Sequence, residues 1–305
     1  MMSEEKSLPP QRKAFLYVLA AAVLWALVGV FGRLLTQAGL APFQIVFMRA
    51  LGATVLLGLY LVIKNPGLFR IRLRDSAYFI GTGILSFAFF NWCYFSAVKL
   101  TSLSIASILL YTAPSIVMVL SVILFGEKMT ATKGFALVVT FAGCLLVTGV
   151  LEMGEGSITL VGILAGLGAG LGYGLYSIFG RYALKKYAPI TVTFYTFVFA
   201  SIAFMPWINY AELFILVSRP LIGIEAAALS LFATVLPFLL YTHALLHMES
   251  SKASILATLE PIVATVFGVL LFGEPITILS LAGICLVLGA VYYLNLATKK
   301  QKAQS

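Results

Sequence analysis

The sequence predicts an all-α integral membrane protein: ten transmembrane helices forming two five-helix repeats of inverted topology. Three observations carry this. Of the 305 residues, 61% are apolar and only 10% charged, whereas a soluble domain holds roughly 25% charged residues. Apolar runs long enough to cross a hydrocarbon core recur along the whole chain. The chain also resembles itself, for Tyr94 to Thr130 overlies Tyr241 to Thr277 with 15 identities in 37 positions.

The runs fall at about 14–36, 43–63, 76–98, 102–125, 131–150, 158–182, 190–209, 222–246, 252–272 and 277–297. The first follows Lys6, Arg12 and Lys13, as the apolar stretch of a signal peptide would. It is longer than such a stretch and nine more runs follow, so it is expected to stay in the mature protein. Connections such as Gly126-Glu127-Lys128 and Gly273-Glu274-Pro275 are short, which makes neighbouring spans antiparallel. Barrel strands would be about half as long and strictly alternating. The expected organisation is a tail at 1–13, repeats at 14–150 and 158–297, and a tail at 298–305.

Orientation follows from the basic residues, which concentrate in cytoplasmic loops. One side would hold 16 of them: Lys6, Arg12, Lys13, Lys64, Arg70, Arg72, Arg74, Lys128, Lys133, Arg181, Lys185, Lys186, Lys252, Lys299, Lys300 and Lys302. The other side holds 2, Lys99 and Arg219, while Arg33 and Arg49 fall inside spans. Both termini are therefore expected in the cytoplasm. The same clustering assigns the net charge of +9 to membrane topology, so no nucleic-acid partner is implied.

Within the repeat, Ala106-Ser-Ile-Leu109 falls on Ala253-Ser-Ile-Leu256, Pro114 on Pro261, and Leu124-Phe-Gly-Glu127 on Leu271-Phe-Gly-Glu274. A weaker match, offset by one further residue, sets Phe31-Gly32-Arg33 on Phe179-Gly180-Arg181. Five spans per half is an odd number, so the second copy enters the membrane from the opposite face. Two inverted halves around a midplane site are how many secondary transporters reach inward- and outward-open states of similar energy. Transport is the expectation. An intramembrane enzyme would need a nucleophile and base or a metal set, and there is no G-x-S-x-G, H-E-x-x-H or pair of aspartates. A passive channel would show flux that does not saturate.

Two stretches carry a family resemblance. Ala106-Ser-Ile-Leu-Leu-Tyr-Thr-Ala-Pro114 leads to Leu124-Phe-Gly-Glu-Lys-Met-Thr130, and Ala253-Ser-Ile-Leu-Ala-Thr-Leu-Glu-Pro261 leads to Leu271-Phe-Gly-Glu-Pro-Ile-Thr277. The pair resembles the signature of EamA-type transporters of the drug/metabolite transporter superfamily. Trp25, Pro42 and Arg49 sit where that pattern has them. The resemblance implies a ten-span carrier of the bacterial plasma membrane that exports amino acids or other small metabolites. It implies no cofactor and leaves substrate, coupling ion and oligomeric state open.

Several residues could carry the chemistry. Pro114 and Pro261 lie inside spans, where a missing N–H bends the helix: packed kinks, or flexing points on the pathway. Arg49 lies about two turns into its span and would snorkel, bond to neighbouring carbonyls, or meet a substrate carboxylate. Glu260 is the acidic residue near the middle of a span, and Ala113 stands at its repeat position. It could take a proton, attract a substrate amine, pair with Arg49, or serve packing alone. Asn91, Trp92, Tyr94, Tyr111, Thr112, Tyr173, Tyr176, Ser177, Tyr195 and Tyr241 together combine apolar walls with polar groups in the manner of a small-molecule cavity, while any one tyrosine taken alone reads as packing or as part of an aromatic belt. Cys93, Cys144 and Cys285 form no C-x-x-C pair and are expected to be small core residues. His243 and His247 share a helix face but have no third metal ligand. The glycines at 162, 166, 170 and 174 predict close helix packing.

Overall fold

The computed structural model describes residues 9–148 and 159–303, and the expected ends of the fifth and sixth spans at 149–150 and 158 fall outside them. The first two spans are single helices, α1 (Pro10–Gln37) and α2 (Pro42–Lys64). The third joins α3 (Ser76–Ile80), a π-helical stretch Gly81–Ala88, and α4 (Phe89–Leu100). The fourth is split into α5 (Leu103–Leu110) and α6 (Ala113–Phe125), and the fifth is α7 (Ala131–Val147). The second half opens with α8 (Leu160–Ala183) and α9 (Pro189–Phe204), followed by a short helix, α10 (Tyr210–Val217). Its third crossing joins α11 (Pro220–Ser230), a π-helical stretch Leu231–Val235, and α12 (Leu236–Ala244). The fourth splits into α13 (Ser250–Ala257) and α14 (Leu259–Phe272), and α15 (Ile278–Ala303) completes the bundle. Nine of these units are long and apolar enough to cross a membrane, and Ala131–Val147 is a shorter apolar helix.

The irregularities repeat, and proline explains half of them. Pro114 and Pro261 stand in the first turns of α6 and α14, where a missing N–H costs nothing. The long helices foreseen at 102–125 and 252–272 are therefore broken in two rather than bent. The π-helical stretches also overlie one another, because 231–235 corresponds to 84–88 at the repeat spacing. Both α6 and α14 end on a left-handed glycine, Gly126 at φ 65° and Gly273 at φ 66°, a conformation that a Cβ would strain.

The halves interlock. α1 packs on α11, α12, α13 and α14, α2 packs on α9 and α11, and α8 packs on α4, α5 and α6. Gly170 of α8 lies against the carbonyls of Leu109 and Leu110, an approach a side chain would block. α7 and α15 form a pair of their own, in contact through Gly143 and Gly283. Val55, Ile63, Val138, Leu164 and Leu270 point outward and are strongly exposed, as a lipid-facing surface requires. Cys93 and Cys144 are buried as expected, whereas Cys285 is exposed on α15, so it is a surface position and not a core one.

The segment 209–221, expected to be a loop, contains α10. Asn209 caps it by accepting the Glu212 N–H at 3.3 Å, and Glu212 accepts from Gln44 at 3.1 Å. Phe214, Ile215, Trp207 and Tyr210 project outward there, types suited to the membrane interface.

Candidate functional site

The breaks in the fourth and ninth spans face each other across a narrow cleft of about 10 Å³, lined by Tyr111, Pro114, Tyr173, Ser254, Ala257 and Thr258 among others. Each proline lacks the N–H that would bond four residues back, at Leu110 and Ala257, and both of those residues line the cleft. In this conformation there is room for about one water.

Glu260 stands beside that cleft, half-buried in the first turn of α14. Its carboxylate accepts the Tyr173 hydroxyl at 3.2 Å. Tyr94 and Tyr111 are within its electrostatic reach, as is Arg49. Tyr94 shares a hydrogen bond of 3.1 Å with Ser107, and its ring lies 6.0 Å from Phe90, which lies 5.6 Å from Tyr173. Tyr173 is thus the tyrosine in contact with the acid, and Tyr94 and Tyr111 lie in its neighbourhood. An ionised carboxylate among aromatic rings is the kind of surrounding that suits an ammonium group.

A second aromatic group lies deeper. Tyr176 bonds Thr242 at 2.5 Å and Tyr241 bonds Ser177 at 2.8 Å, and all four residues are buried. Trp25 joins the two groups, 6.4 Å from Tyr173 and 5.2 Å from both Phe238 and Tyr241. These hydroxyls are satisfied by protein, and the group belongs to the packed core and not to the lining of the cleft.

Arg49 is buried, and the structure shows what holds it. Its Nη2 donates to the Ala233 carbonyl at 3.2 Å and its Nε to Thr234 Oγ1 at 3.1 Å, with the Phe87 ring 5.4 Å away. Pro237 explains the free carbonyl, since it stands four residues after Ala233 and supplies no N–H. Arg49 therefore ties α2 to the π-helical stretch of the eighth span.

Three of the remaining candidates lie elsewhere. Asn91 is buried and donates to the Phe87 carbonyl at 2.8 Å, a bond within its own helix. Trp92 projects outward and packs on Phe43 at 5.3 Å and Trp207 at 4.7 Å, in an aromatic group near one membrane face. Tyr195 donates to the Phe69 carbonyl at 2.7 Å, near the opposite face. His243 meets Tyr17 edge to face and His247 at a tilt, and among the described residues no three potential metal ligands gather.

An ion network that pattern reading did not single out closes the end of the bundle at Glu127. Its carboxylate accepts from Arg181, from the Ser250 N–H at 2.8 Å, from the Ser251 N–H at 3.3 Å and from the Ser251 hydroxyl. Lys133 Nζ lies 3.8 Å from Glu127 and 3.1 Å from Glu249, and it donates to the Lys128 carbonyl at 2.9 Å. A polar pocket of about 260 Å³ lined by Lys128, Thr130, Lys133, Glu249 and Lys252 opens beside it. At the opposite end, Arg33 bonds Glu274 at 2.6 Å. The repeat contained the signal, because both arginines and both glutamates lie in motifs that recur.

Ten apolar helical units in two matching halves define a multi-pass membrane protein of the inverted-repeat class. The EamA-like transporter family matches the chain twice, over residues 12–149 and 160–296. An uncharacterized transporter of Archaeoglobus fulgidus is 31% identical over 213 residues, 68% of this chain and 74% of its own. The uncharacterized transporter YxxF of Bacillus subtilis is 25% identical over 309 residues, 99% of this chain and 96% of its own. A solved crystal structure superposes with a TM-score of 0.79 at 16% identity, covering 95% of this chain and 99% of its own, and so shares the fold. The chain belongs to the EamA-like transporter family. It is a membrane transporter and not an enzyme.

Proposed function

We propose that the protein exports a small amine-bearing metabolite, such as an amino acid, across the plasma membrane by alternating access, with both termini cytoplasmic. The observation that supports this reading best is Glu260: a carboxylate beside the cleft between two broken helices, bonded to Tyr173, which lines that cleft together with Tyr111. A broken helix exposes carbonyls for a polar substrate, and the carboxylate supplies the counter-charge for an amine. Proton coupling fits the same group, because a carboxylate that gives up its proton to one side can take another from the other side.

Comparison of the medium of overexpressing and deletion cells by untargeted metabolite profiling identifies the cargo. The reading expects one or a few amines to accumulate outside with overexpression, and no difference in any amine overturns it. In proteoliposomes, Glu260→Gln is expected to keep substrate exchange and lose its response to a pH gradient. Full gradient-driven accumulation by that variant removes the coupling role. For orientation, cysteines placed at Ser157 and Lys186 are treated with an impermeant reagent from outside. Labelling at Ser157 and not at Lys186 is expected, and the reverse inverts the topology.

A further inference from the structure

The Phe-Gly-Glu turn is built identically in the two halves. The Gly126 N–H bonds the Val122 carbonyl and the Glu127 N–H bonds Ser121, at 3.1 and 3.2 Å. The Gly273 N–H bonds Val269 and the Glu274 N–H bonds Gly268, again at 3.1 and 3.2 Å. Each turn sends its carboxylate to the arginine of the other half's Phe-Gly-Arg segment, Arg181 for Glu127 and Arg33 for Glu274. Each of those arginines also lies over the phenylalanine of the same turn. The guanidinium carbon of Arg181 is 4.7 Å from the Phe125 ring centre, and that of Arg33 is 4.2 Å from Phe272. Two copies of one Arg-Phe-Glu cluster thus stand at opposite ends of the bundle.

What surrounds them differs. The Glu127 side chain is 3% exposed and also holds the start of α13 through Ser250 and Ser251. The Glu274 side chain is 52% exposed and Arg33 41%. Leu103 and Ser104, at the start of α5, are the positions equivalent to Ser250 and Ser251. Among the described residues Glu274 makes no hydrogen bond to α5. The packing agrees, since α13 rests on α6 whereas the equivalent pair, α5 and α14, shows no comparable contact. Both docking helices, α5 and α13, also wall the central cleft through Leu110, Ser254 and Ala257.

We propose that Glu127 with Arg181 and Glu274 with Arg33 are the two gates of the carrier, and that each transport cycle exchanges their environments, a proposal that rests on the alternating access inferred above. In the conformation seen here the Glu127 gate is shut, with the start of α13 seated on the end of α6. In the opposite conformation Glu274 accepts the N–H groups of Leu103 and Ser104 and the Ser104 hydroxyl, while Glu127 lets go of Ser250 and Ser251. The two arginines keep a partner in both states. The helix starts are what change hands, so docking and release swing α13 and α5 past the cleft.

The test needs no substrate. A full-length carrier with Cys93, Cys144 and Cys285 replaced by alanine receives one reporter, Ser254→Cys, in the cleft wall. An impermeant maleimide is then added to intact cells or to inside-out vesicles, and the labelling rate is measured from each face. The background is expected to react faster from the Glu274 face and slowly from the Glu127 face. Glu127→Gln should raise the rate from the Glu127 face about tenfold, the scale of one lost charged hydrogen bond. Glu274→Gln should lower that same rate. Ser251→Ala, which removes a single hydroxyl and leaves the ion pair, should shift it in the direction of Glu127→Gln by a smaller factor. Glutamine variants that move the rate in the same direction, or that leave it unmoved while the background reacts from both faces, overturn the gates and leave alternating access standing. Reaction from one face alone in the background and every variant overturns alternating access itself.

Discussion

Glu127 and Glu274 close equivalent helices through equivalent left-handed glycines, yet one side chain is 3% exposed and the other 52%. The difference lies in the number of partners. A carboxylate removed from water needs most of its lone pairs filled, and Glu127 has two backbone N–H groups, a hydroxyl and two cations to fill them. Glu274 has one arginine and keeps its water. A single motif therefore serves as a buried latch in one half and a surface ion pair in the other.

The largest expected effect comes from breaking the buried copy. Glu127→Gln leaves Arg181 without its counter-charge, while Lys133 keeps Glu249, and is expected to cost about 3–5 kcal/mol, read as a fall in thermal unfolding temperature in detergent. Glu274→Gln should cost no more than about 1 kcal/mol. Equal losses for the two variants would contradict the burial difference.

Arg49 offers a second contrast, because its clamp has no twin: Phe90 stands where the first half would need a counterpart of Pro237. Arg49→Ala should lose about 1.5–3 kcal/mol by leaving the Ala233 carbonyl unpaired, with transport falling in parallel. Arg49→Lys should fall between alanine and the native residue. Pro237→Ala restores an N–H for that carbonyl and should therefore soften the loss in Arg49→Ala. Normal unfolding and transport in Arg49→Ala would leave the clamp without a role.

Where the halves match, substitution should match too. Nothing lies within 4 Å of a Cβ added at Gly126 or Gly273, so Gly126→Ala and Gly273→Ala meet only left-handed strain. Each should cost about 1–2 kcal/mol in unfolding measurements, and the two values should agree. A clear inequality would show that the turns differ in strain as well as in surroundings.

The smallest effect concerns Glu249, beside the Glu127 latch. Burial pushes its carboxyl up, but Lys252 and Lys133 outweigh this and hold it below its ordinary 4.5. A depressed carboxylate adds stability above that ordinary value and loses it as the pH falls through the lower folded one. Unfolding measured across the acid range should therefore show a decline below about pH 4.5 that Glu249→Gln flattens.

Much of this could be read from the sequence because membrane spans declare themselves by composition and the repeat by direct overlay. Pro114 and Pro261 marked the places where helices would be interrupted, although whether a proline bends or splits a helix depends on the neighbours that take up its freed carbonyl. The π-helical stretches carry no local signature. Trp92 shows a different limit, for it adjoins Asn91 in sequence yet turns to the outside, and neighbours on a helix point about 100° apart. Glu260 and Tyr173 could each be picked out as polar in an apolar span. Their bond spans 87 positions and needed the fold. The arginine–glutamate pairs were visible as motifs, but pairing them across halves requires knowing that the halves interlock.

The pairing of α7 with α15 bears on how the protein is made. The substantial partners of α7 are α13, α14 and α15, all encoded after it. A nascent chain that has emerged only as far as the fifth span presents Gly143 to lipid, since the backbone it meets at Gly283 does not yet exist. That helix gains its main partner only when the last one is inserted, so a polypeptide lacking α15 leaves the Gly143 face of α7 without the backbone it packs on.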